Sequence, residues 1–502
     1  MSTSALVRLD ELVEAAAPLA VLGDPHGVSV SEIAFDHREV TPGALFCCLP
    51  GARVDGHDFA AAARRAGAVA FLCEHSLGPE LAGCVQLVVP PGTARPAMAR
   101  VAAAFYGNPA TAMRTVGVTG TNGKTTTTYL LRAIFEQYGW RAGVVGTLDG
   151  ARTTPEAPHL QRALARQRDA GCAASAIEVT SHALVQGRVE GVTFDVAVFT
   201  NLTQDHLDFH VTMEAYFEAK SRLFRSERAR FGVVNADDPY GRRLLERSCI
   251  PMLGYSLGDV RDLEIGVSAS SFRLGGRIIR LGLGGEFNVY NALAAAAAAR
   301  SLGVSADAIV AGLEAAPSVP GRFEAIAGPD GVTAVVDYAH TPAGLEEVLR
   351  AARRAARFNA PGDQPRERGD GRLIVVFGCG GDRDRGKRPA MGAIACEFAD
   401  LVVLTSDNPR SESPATVIEE IRAGMPAGAA LHVEIDRRRA IAAALGEARP
   451  GDIVIVAGKG HETTQQFADR AVRFDDREVV RDEFARLAAH RGDGAGAARA
   501  PQ

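Results

Sequence analysis

The residues with the clearest chemical meaning are Gly120-Thr121-Asn122-Gly123-Lys124-Thr125-Thr126, which stand directly between a predicted strand and a predicted helix. A phosphate-binding loop requires this context, because successive backbone N–H groups and a helix N-terminus cradle phosphates. Lys124 then reaches the terminal phosphates, and the Thr125 hydroxyl binds Mg²⁺. The first glycine of the general pattern falls at Val118, so this loop is a shorter variant. The sequence therefore predicts ATP binding.

Polar side chains follow two further predicted strands. Glu178 ends one of these strands. Because ligands of open parallel sheets bind at the carboxyl ends of strands, Glu178 is a candidate Mg²⁺ ligand. A helix-capping role for Glu178 is an equal alternative. The run 200–210 ends the other strand and carries His206 and His210. Their His-x-x-x-His spacing is typical of a zinc site, but Leu207 stands where the HExxH motif of zinc proteases has Glu. A polar cluster beside the phosphates is the favoured interpretation.

Three charged strand ends occur in the last third of the chain, at 377–388, 405–410 and 457–462. Each is rich in Gly, Asp, Arg or Lys, and each alone is typical of a solvated loop. If their strands are neighbours in one sheet, the three ends converge on one crevice. Arginine binds carboxylates with two parallel hydrogen bonds, so the crevice suits an anionic or zwitterionic substrate.

Three blocks must position these side chains. The first, residues 1–110, is Ala-rich, has β-like runs at 68–72 and 85–89, and ends at a Gly-Asn-Pro break. The second, residues 111–319, opens with a strand at 115–119. A helix follows, on which periodicity places Leu130, Leu131, Ile134 and Tyr138 on one face.

Apolar runs at 174–179, 195–200 and 232–235 alternate with helical stretches, which predicts parallel βαβ units. A Pro-Gly-Arg hinge at 320–322 opens the third block, residues 320–490, with strands at 334–337, 373–377, 401–405 and 453–456. Residues 359–371 are predicted to be an exposed loop, and 491–502 a disordered tail. The fold class is α/β.

Composition narrows the class of protein. The chain has 502 residues, which suggests about three domains, and its apolar and charged fractions of 47% and 23% exclude disorder as the main state. A net charge of −5 gives no basic field for nucleic acid. The start of the chain lacks a secretory signal, and no apolar run is long enough to span a bilayer. Eight scattered cysteines without CxxC spacing favour reduced thiols in the cytoplasm.

The motifs occur in an order that resembles the Mur ligases, of the MurE type, from about Asp36 to Asp476. They are TGTNGKTTT, EVTSH, NLTQDHLDFH, YFEAKSRLF, GEFNVYN, GRFE, VVDYAHTP, GCGGDRDRGKRP, DNPR and GKGHE. The resemblance implies an N-terminal UDP-binding domain (1–110), a central P-loop ATPase domain (111–319) and a C-terminal Rossmann-like domain (320–490) that binds an amino acid. Members of the family add the third residue to the UDP-MurNAc-peptide precursor of peptidoglycan. We expect this chain to be a monomer that neither binds nucleic acid nor inserts into membranes.

The resemblance also implies a reaction. ATP phosphorylates the γ-carboxylate of D-Glu, and an incoming amine attacks the acyl phosphate, while two Mg²⁺ ions neutralise the gathered charge. Thr125 and Glu178 would hold one ion and His206 would help to hold the second. Lys220 matches the family lysine that CO₂ carbamylates into a metal ligand; its sequence context alone gives only a lysine on an amphipathic helix. Lys124, Lys220, His206 and Glu178 are thus the predicted catalytic set.

Binding residues follow by the same resemblance. ATP would contact 120–126 together with Asn291, Arg322, Asp337 and His340. The muramoyl-peptide nucleotide would contact the N-terminal pair Phe35 and His37 and the central-domain positions Thr153, Thr154, Thr180, Gln186 and Arg188. The family has Asp-Ser-Arg where this chain has Asp36-His37-Arg38. Whether His37 replaces the usual Ser at the uridine is therefore open.

The resemblance implies that the third domain determines which amino acid the enzyme adds. Asp407-Asn408-Pro409-Arg410 matches the form in members that add meso-diaminopimelate, and members that add lysine lack this arginine. Diaminopimelate has one more carboxylate than lysine, which Arg410 can bind. Arg383, Gly458 and Glu462 complete the implied pocket. The alternatives are a lysine-adding or folylpolyglutamate-type ligase, or a catalytically silent nucleotide-binding scaffold, which the presence of the whole catalytic set disfavours.

Overall fold

The computed structural model describes residues 6–51, 54–150, 152–247, 249–356 and 371–496. They form three successive α/β units, each around its own sheet. All eight cysteines are free thiols. Within the described ranges, no helix combines the length and apolar character that a bilayer span needs.

The N-terminal unit has a five-stranded sheet in the order β2-β7-β6-β5-β4, parallel except for β2, beside the small antiparallel pair β1-β3. Helices α1 and α3 pack against each other and share a buried cluster with the sheet. Its elements are β1 (Val7–Arg8), α1 (Leu9–Ala16), β2 (Ala20–Leu22), β3 (Ser29–Val30), β4 (Glu32–Ala34), β5 (Ala44–Cys47), α2 (Ala60–Arg65), β6 (Ala70–Cys73), β7 (Val85–Val88) and α3 (Ala94–Phe105).

The central unit has six parallel strands in the order β13-β12-β11-β8-β10-β9, as the alternation of strands and helices predicts. An antiparallel sheet, β14-β15-β16, packs at one side. The elements are β8 (Arg114–Thr119), α4 (Lys124–Gln137), β9 (Ala142–Val145), α5 (Ala157–Asp169), β10 (Ala174–Glu178), α6 (Ser181–Val185), β11 (Phe194–Phe199), α7 (Leu207–His210), α8 (Met213–Ser221), β12 (Ala229–Asn235), α9 (Pro239–Arg247), β13 (Met252–Tyr255), β14 (Val260–Ile265), β15 (Ser270–Leu274), β16 (Arg277–Leu281), α10 (Glu286–Ser301) and α11 (Ala306–Ala315).

The C-terminal unit has the sheet order β17-β18-β22-β19-β20-β21, parallel except for β17. Strand β19 is buried at every position because helices cover both faces of the sheet. The elements are β17 (Glu324–Ala327), β18 (Thr333–Asp337), α12 (Pro342–Ala356), β19 (Leu373–Phe377), α13 (Lys387–Phe398), β20 (Leu401–Leu404), α14 (Pro414–Arg422), β21 (Leu431–Val433), α15 (Arg437–Glu447), β22 (Ile453–Ala457), β23 (Thr464–Gln466), β24 (Ala471–Arg473) and α16 (Asp476–Gly496).

Two local expectations differ from the structure. Leu130, Leu131 and Ile134 are buried as predicted, whereas Tyr138 is 38% exposed, because α4 ends at Gln137 and Tyr138 lies beyond its last turn. Helix α16 continues to Gly496, past the predicted start of the tail at 491, since no proline interrupts it before position 501. Residues 357–370, most of the predicted exposed loop, and 497–502 lie outside the described residues.

Candidate active site

The phosphate-binding loop lies between β8 and α4, as the sequence predicts. Gly123 has φ 84°, and a Cβ there would clash with the Asn291 side-chain oxygen, so glycine is required. The first turn of α4 leaves backbone N–H groups without helical acceptors, which makes its N-terminus suitable for anions. Lys124 Nζ donates to the carbonyl oxygens of Gly120 (2.9 Å) and Thr121 (2.7 Å), and burial lowers its pKa.

Glu178 ends β10 fully buried, beside the first turn of α4. One carboxylate oxygen accepts from Thr125 Oγ1 at 3.0 Å and from Thr147 Oγ1 at 3.2 Å, and the other accepts from the Thr147 N–H at 2.8 Å. The carboxylate and hydroxyl oxygens of Glu178 and Thr125 are hard donors of the kind Mg²⁺ prefers. The residues present therefore fit a magnesium ion.

Lys220 lies on α8 with only 2% of its surface exposed. Its Nζ donates to the Gly120 carbonyl oxygen at 2.8 Å and lies 4.7 Å from the centre of the Tyr216 ring. Among the residues the structure describes, no carboxylate oxygen lies within 4 Å of this amine. Burial first, and Lys124 second, hold the pKa of Lys220 well below its ordinary value, which favours the neutral amine.

The histidines of the 200–210 run do not share one site. His206 lines the cleft beside Asp205, whose carboxylate lies 3.5 Å from its Nε2. Desolvation lowers the pKa of His206 to about 4, so the ring is neutral. His210 Nε2 instead contacts the Ser181 hydroxyl at 2.9 Å. His206 is thus available as a neutral nitrogen donor, and the zinc alternative gains no support.

The C-terminal unit supplies the opposite wall. Asp337 accepts from the N–H groups of Phe323 (2.6 Å) and Ala339 (2.7 Å), and burial raises its pKa. The Arg322 guanidinium lies 4.5 Å from the Tyr338 ring centre. His340 Nδ1 contacts the Tyr338 carbonyl oxygen at 2.8 Å, and burial lowers the pKa of the ring. This wall therefore offers a carboxyl group, a cation and a neutral imidazole to a ligand.

The two walls enclose a cleft of about 250 Å³. Most of the residues predicted to bind ATP and metal line this cleft. Thr153 and Thr180, from the set predicted to bind the muramoyl-peptide nucleotide, line it as well. Those lining residues are Thr121, Asn122, Gly123, Lys124, Thr125, Thr126, Glu178, His206, Asn291, Arg322, Asp337 and His340. Gly120 does not line the cleft. Its carbonyl oxygen accepts hydrogen bonds from the side-chain amines of Lys124 and Lys220.

Several lining residues were missed by sequence reasoning: Thr147, Asp205, Phe287, Asn288, Tyr338 and Glu347. Four of them stand inside quoted motifs, so the motifs could have pointed to them: Asp205, Phe287, Asn288 and Tyr338. Thr147 and Glu347 stand outside those motifs. Glu347 reaches the phosphate-binding loop from α12, where its carboxylate accepts from Asn122 Nδ2 at 3.2 Å.

The remaining muramoyl-peptide positions lie behind the cleft and in the N-terminal unit. Thr154 Oγ1 donates to the Glu178 carbonyl oxygen at 2.7 Å, and Arg188 donates to the Thr154 carbonyl oxygen (2.9 Å) and to Gln186 (2.6 Å). In the N-terminal unit, Phe35 packs edge-on against His159 of α5 at 5.3 Å. His37 stacks on Phe59 at 4.5 Å.

The three charged strand ends do converge, because β22, β19 and β20 are neighbours. Asn408 Nδ2 donates to Glu462 at 2.8 Å, and buried Lys459 bonds both Glu462 (3.0 Å) and Asn408 (3.2 Å). Gly458 has φ 115° and leaves no room for a Cβ beside Asp407.

Arg410 donates from Nη1 to the Gly381 carbonyl oxygen at 2.7 Å. Its other side-chain donors meet no partner within the described ranges. Pro409 is buried, whereas Arg383 is exposed. None of the seven predicted amino-acid positions lines the cleft between the central and C-terminal units.

Three family models match the chain in order. They are "Mur ligase family, catalytic domain" at residues 29–106, "Mur ligase middle domain" at 118–299 and "Mur ligase, glutamate ligase domain" at 321–460.

Relatives named UDP-N-acetylmuramoyl-L-alanyl-D-glutamate--2,6-diaminopimelate ligase are similar over nearly the whole chain. That of Geobacillus thermodenitrificans is 43% identical over 485 residues, covering 91% of this chain and 95% of the relative. That of Gloeobacter violaceus is 44% identical over 480 residues, covering 91% and 94%.

A solved structure of a protein with the same name is 32% identical, with a TM-score of 0.65, and covers 96% of this chain and 100% of its own. MurF from Acinetobacter baumannii, at 20% identity and a TM-score of 0.66, shares the fold; the match covers 96% of this chain and 100% of its own.

Proposed function

The chain belongs to the Mur ligase family, and on that premise we propose that it joins meso-diaminopimelate to the D-Glu γ-carboxyl group of UDP-MurNAc-L-Ala-D-Glu. ATP is converted to ADP and phosphate. A carboxylate is a poor electrophile, so phosphorylation by ATP supplies a leaving group. The amine then attacks the acyl phosphate, an amide bond forms, and phosphate leaves.

The observation that carries the choice of amino acid is the position of Arg410. Within the described residues its guanidinium donates to the Gly381 carbonyl oxygen alone, and Arg410 belongs to the loop after β20, at the edge where the neighbouring strands β22, β19 and β20 end. A free fork of N–H donors suits the distal carboxylate of diaminopimelate, and Glu462 suits its ammonium group. Arg383, Asp407, Pro409 and Gly458 complete the proposed pocket. Lysine has no distal carboxylate, so its binding would leave this arginine unused.

The phosphates of ATP would meet the first turn of α4 and Lys124. Asn291, Arg322, Asp337 and His340 would bind the adenosine and γ-phosphate. Thr125 and Glu178 would hold one Mg²⁺, and His206 with a carbamate on Lys220 would hold a second. These ions would supply positive charge where the phosphoryl and acyl oxygens gather. Buried Lys220, whose amine among the described residues donates to a single carbonyl oxygen and whose lowered pKa favours the neutral form, is suited to react with CO₂.

The muramoyl-peptide nucleotide would extend from the cleft to the N-terminal unit. Thr153 and Thr180 line the cleft, and Arg188 is fixed next to them by Thr154 and Gln186. We assign the uridine to the surface with Phe35 and His37. The three units then correspond to domains 1–110, 111–319 and 320–490. The nucleotide substrates and free thiols suit a cytoplasmic enzyme, which we propose is a monomer.

Phosphate release tests the proposal. Purified protein receives UDP-MurNAc-L-Ala-D-Glu, ATP and Mg²⁺, and then either meso-diaminopimelate or lysine. We expect turnover with diaminopimelate and little with lysine. A preference for lysine would contradict the role of Arg410, and a folded protein that turns over neither amino acid would favour a silent scaffold.

A further inference from the structure

Arg388, the second residue of α13, has a fully buried side chain outside the proposed pocket. Its guanidinium binds both oxygens of Glu412 (2.8 and 2.9 Å) and Glu420 (2.6 Å). It also donates to the Gly380 carbonyl oxygen at 3.2 Å. The guanidinium lowers the pKa of Glu412 to about 2, so the pair stays ionised at neutral pH. A buried bidentate pair of this kind fixes geometry more strictly than a surface ion pair does.

Arg388 connects two loops. Loop A, residues 378–386, follows β19, and loop B, residues 405–413, follows β20. Glu412 of loop B accepts from the Asp382 N–H of loop A at 2.6 Å, while Ser411 Oγ donates to the Asp382 carboxylate at 2.5 Å. The loops approach so closely that a Cβ on Gly381 would clash with the Pro409 carbonyl oxygen.

Loop B holds Arg410 in a conformation that it would not adopt alone. Arg410 has φ 52°, in the left-handed region, which is unfavourable for a residue with a Cβ. Its N–H donates to the Gln466 carbonyl oxygen at 3.0 Å, and its side chain donates to Gly381 of loop A. The direction of the Arg410 guanidinium therefore depends on the spacing of the two loops, which Arg388 and Glu412 set.

We propose that Arg388, through its ion pair with Glu412, is a positioning residue that aims Arg410 at the distal carboxylate of the incoming amino acid and thereby contributes to amino-acid selectivity. This inference rests on the proposed function. Arg388 touches no substrate; it acts on loops A and B. Its loss should weaken diaminopimelate binding and spare the steps that do not involve Arg410.

The test compares Arg388→Met and Arg388→Lys with Arg385→Met. Arg385 pairs with the same carboxylates, Glu412 at 3.2 Å and Glu420 at 2.9 Å, but its side chain is 61% exposed, which makes it a matched control. For Arg388→Met we expect the KM for diaminopimelate to rise about tenfold or more, since a displacement near 1 Å can cost up to 10²-fold.

For Arg388→Met, the KM values for ATP and the muramoyl substrate, and kcat/KM for lysine, should stay within about twofold of wild type, because these steps do not use Arg410. Arg388→Lys should recover part of the loss, and Arg385→Met should match wild type.

Glu412→Gln provides a second variant if Arg388→Met does not fold, because its amide oxygen can still accept from Asp382. It should raise the KM for diaminopimelate in the same direction. A folded variant with an unchanged KM for diaminopimelate overturns the inference, and so does an equal loss toward diaminopimelate, lysine and ATP. Wild-type turnover separates the two proposals: if wild type does not use diaminopimelate, the proposed function fails before Arg388 is tested.

Discussion

Glu347 should make the stability of the protein depend on pH. It lies on α12, lines the cleft, and accepts from Asn122 of the phosphate-binding loop at 3.2 Å. Burial, with a smaller contribution from the nearby Asp337, raises the pKa of this carboxyl to about 7, although the Asn122 bond opposes the rise. The folded protein thus holds a proton that the unfolded chain releases near its ordinary pKa of about 4.5.

The sign follows from proton linkage. Between pH of about 4.5 and 7 the unfolded state binds fewer protons than the folded state, so the free energy of unfolding falls as pH rises, and it levels off above pH 7. At 1.36 kcal/mol per unit, the shift corresponds to about 3 kcal/mol, which we reduce to roughly 2 kcal/mol because the side chain is half-buried. Glu347→Gln removes this pH-dependent loss of stability, and its amide oxygen can still accept the hydrogen bond from Asn122 Nδ2.

Thermal unfolding between pH 5 and pH 8 measures the effect. We expect Glu347→Gln to resemble wild type near pH 5 and to melt about 4–8 °C higher at pH 8, from the usual conversion for a domain of this size. Glu346→Gln is the control, because Glu346 pairs with Arg350 on the same helix. A melting difference between wild type and Glu347→Gln that is the same at pH 5 and pH 8 would refute the reasoning.

Three other variants test separate parts of the site. Lys220→Ala should lose turnover and regain part of it with added formate or acetate; full activity without them would exclude the carbamate role. Arg410→Met should lower kcat/KM for diaminopimelate about 10- to 150-fold, the equivalent of about 1.5–3 kcal/mol for a charged hydrogen bond, and should leave kcat/KM for lysine unchanged. An equal loss of kcat/KM for lysine would contradict the role of Arg410 in binding the distal carboxylate. Asp476→Asn removes the carboxylate that pairs with Arg437 where both side chains are fully buried, and it should cost about 3–5 kcal/mol in urea unfolding, although Arg437 keeps its bonds to the Ser406 and Ala457 carbonyl oxygens. A midpoint unchanged from wild type would show that the pair is dispensable.

The fold and the strand-end positions were predictable because both follow from local pattern. Apolar runs of five or six residues that alternate with helices specify a parallel sheet, and the carboxyl ends of its strands share one edge. Glu178 and the 120–126 loop therefore came together as predicted. The convergence of the three charged ends of the last block depended on strand order, which the structure supplies.

The missed residues depend on packing between elements far apart in sequence. Glu346 and Glu347 are adjacent and chemically identical, and only the docking of α12 on the phosphate-binding loop decides that Glu347 meets Asn122. Arg388 stands in the basic run 383–388, where sequence alone suggests a solvated side chain. Its burial against Glu412 and Glu420 requires helices α13 and α14 to pack side by side.

The charges of the cleft bear on how an acidic protein can bind ATP. Two lining residues, Lys124 and Arg322, are cations, whereas Glu178, Asp205, Asp337 and Glu347 are carboxyl groups. Burial keeps the lining histidines His206 and His340 neutral by lowering their pKa values. The phosphates would therefore add negative charge to a cleft that already lacks a positive excess, and a carbamate on Lys220 would add more. Divalent cations held by the carboxylates would resolve this imbalance, because each would supply two positive charges next to the groups that repel the phosphates.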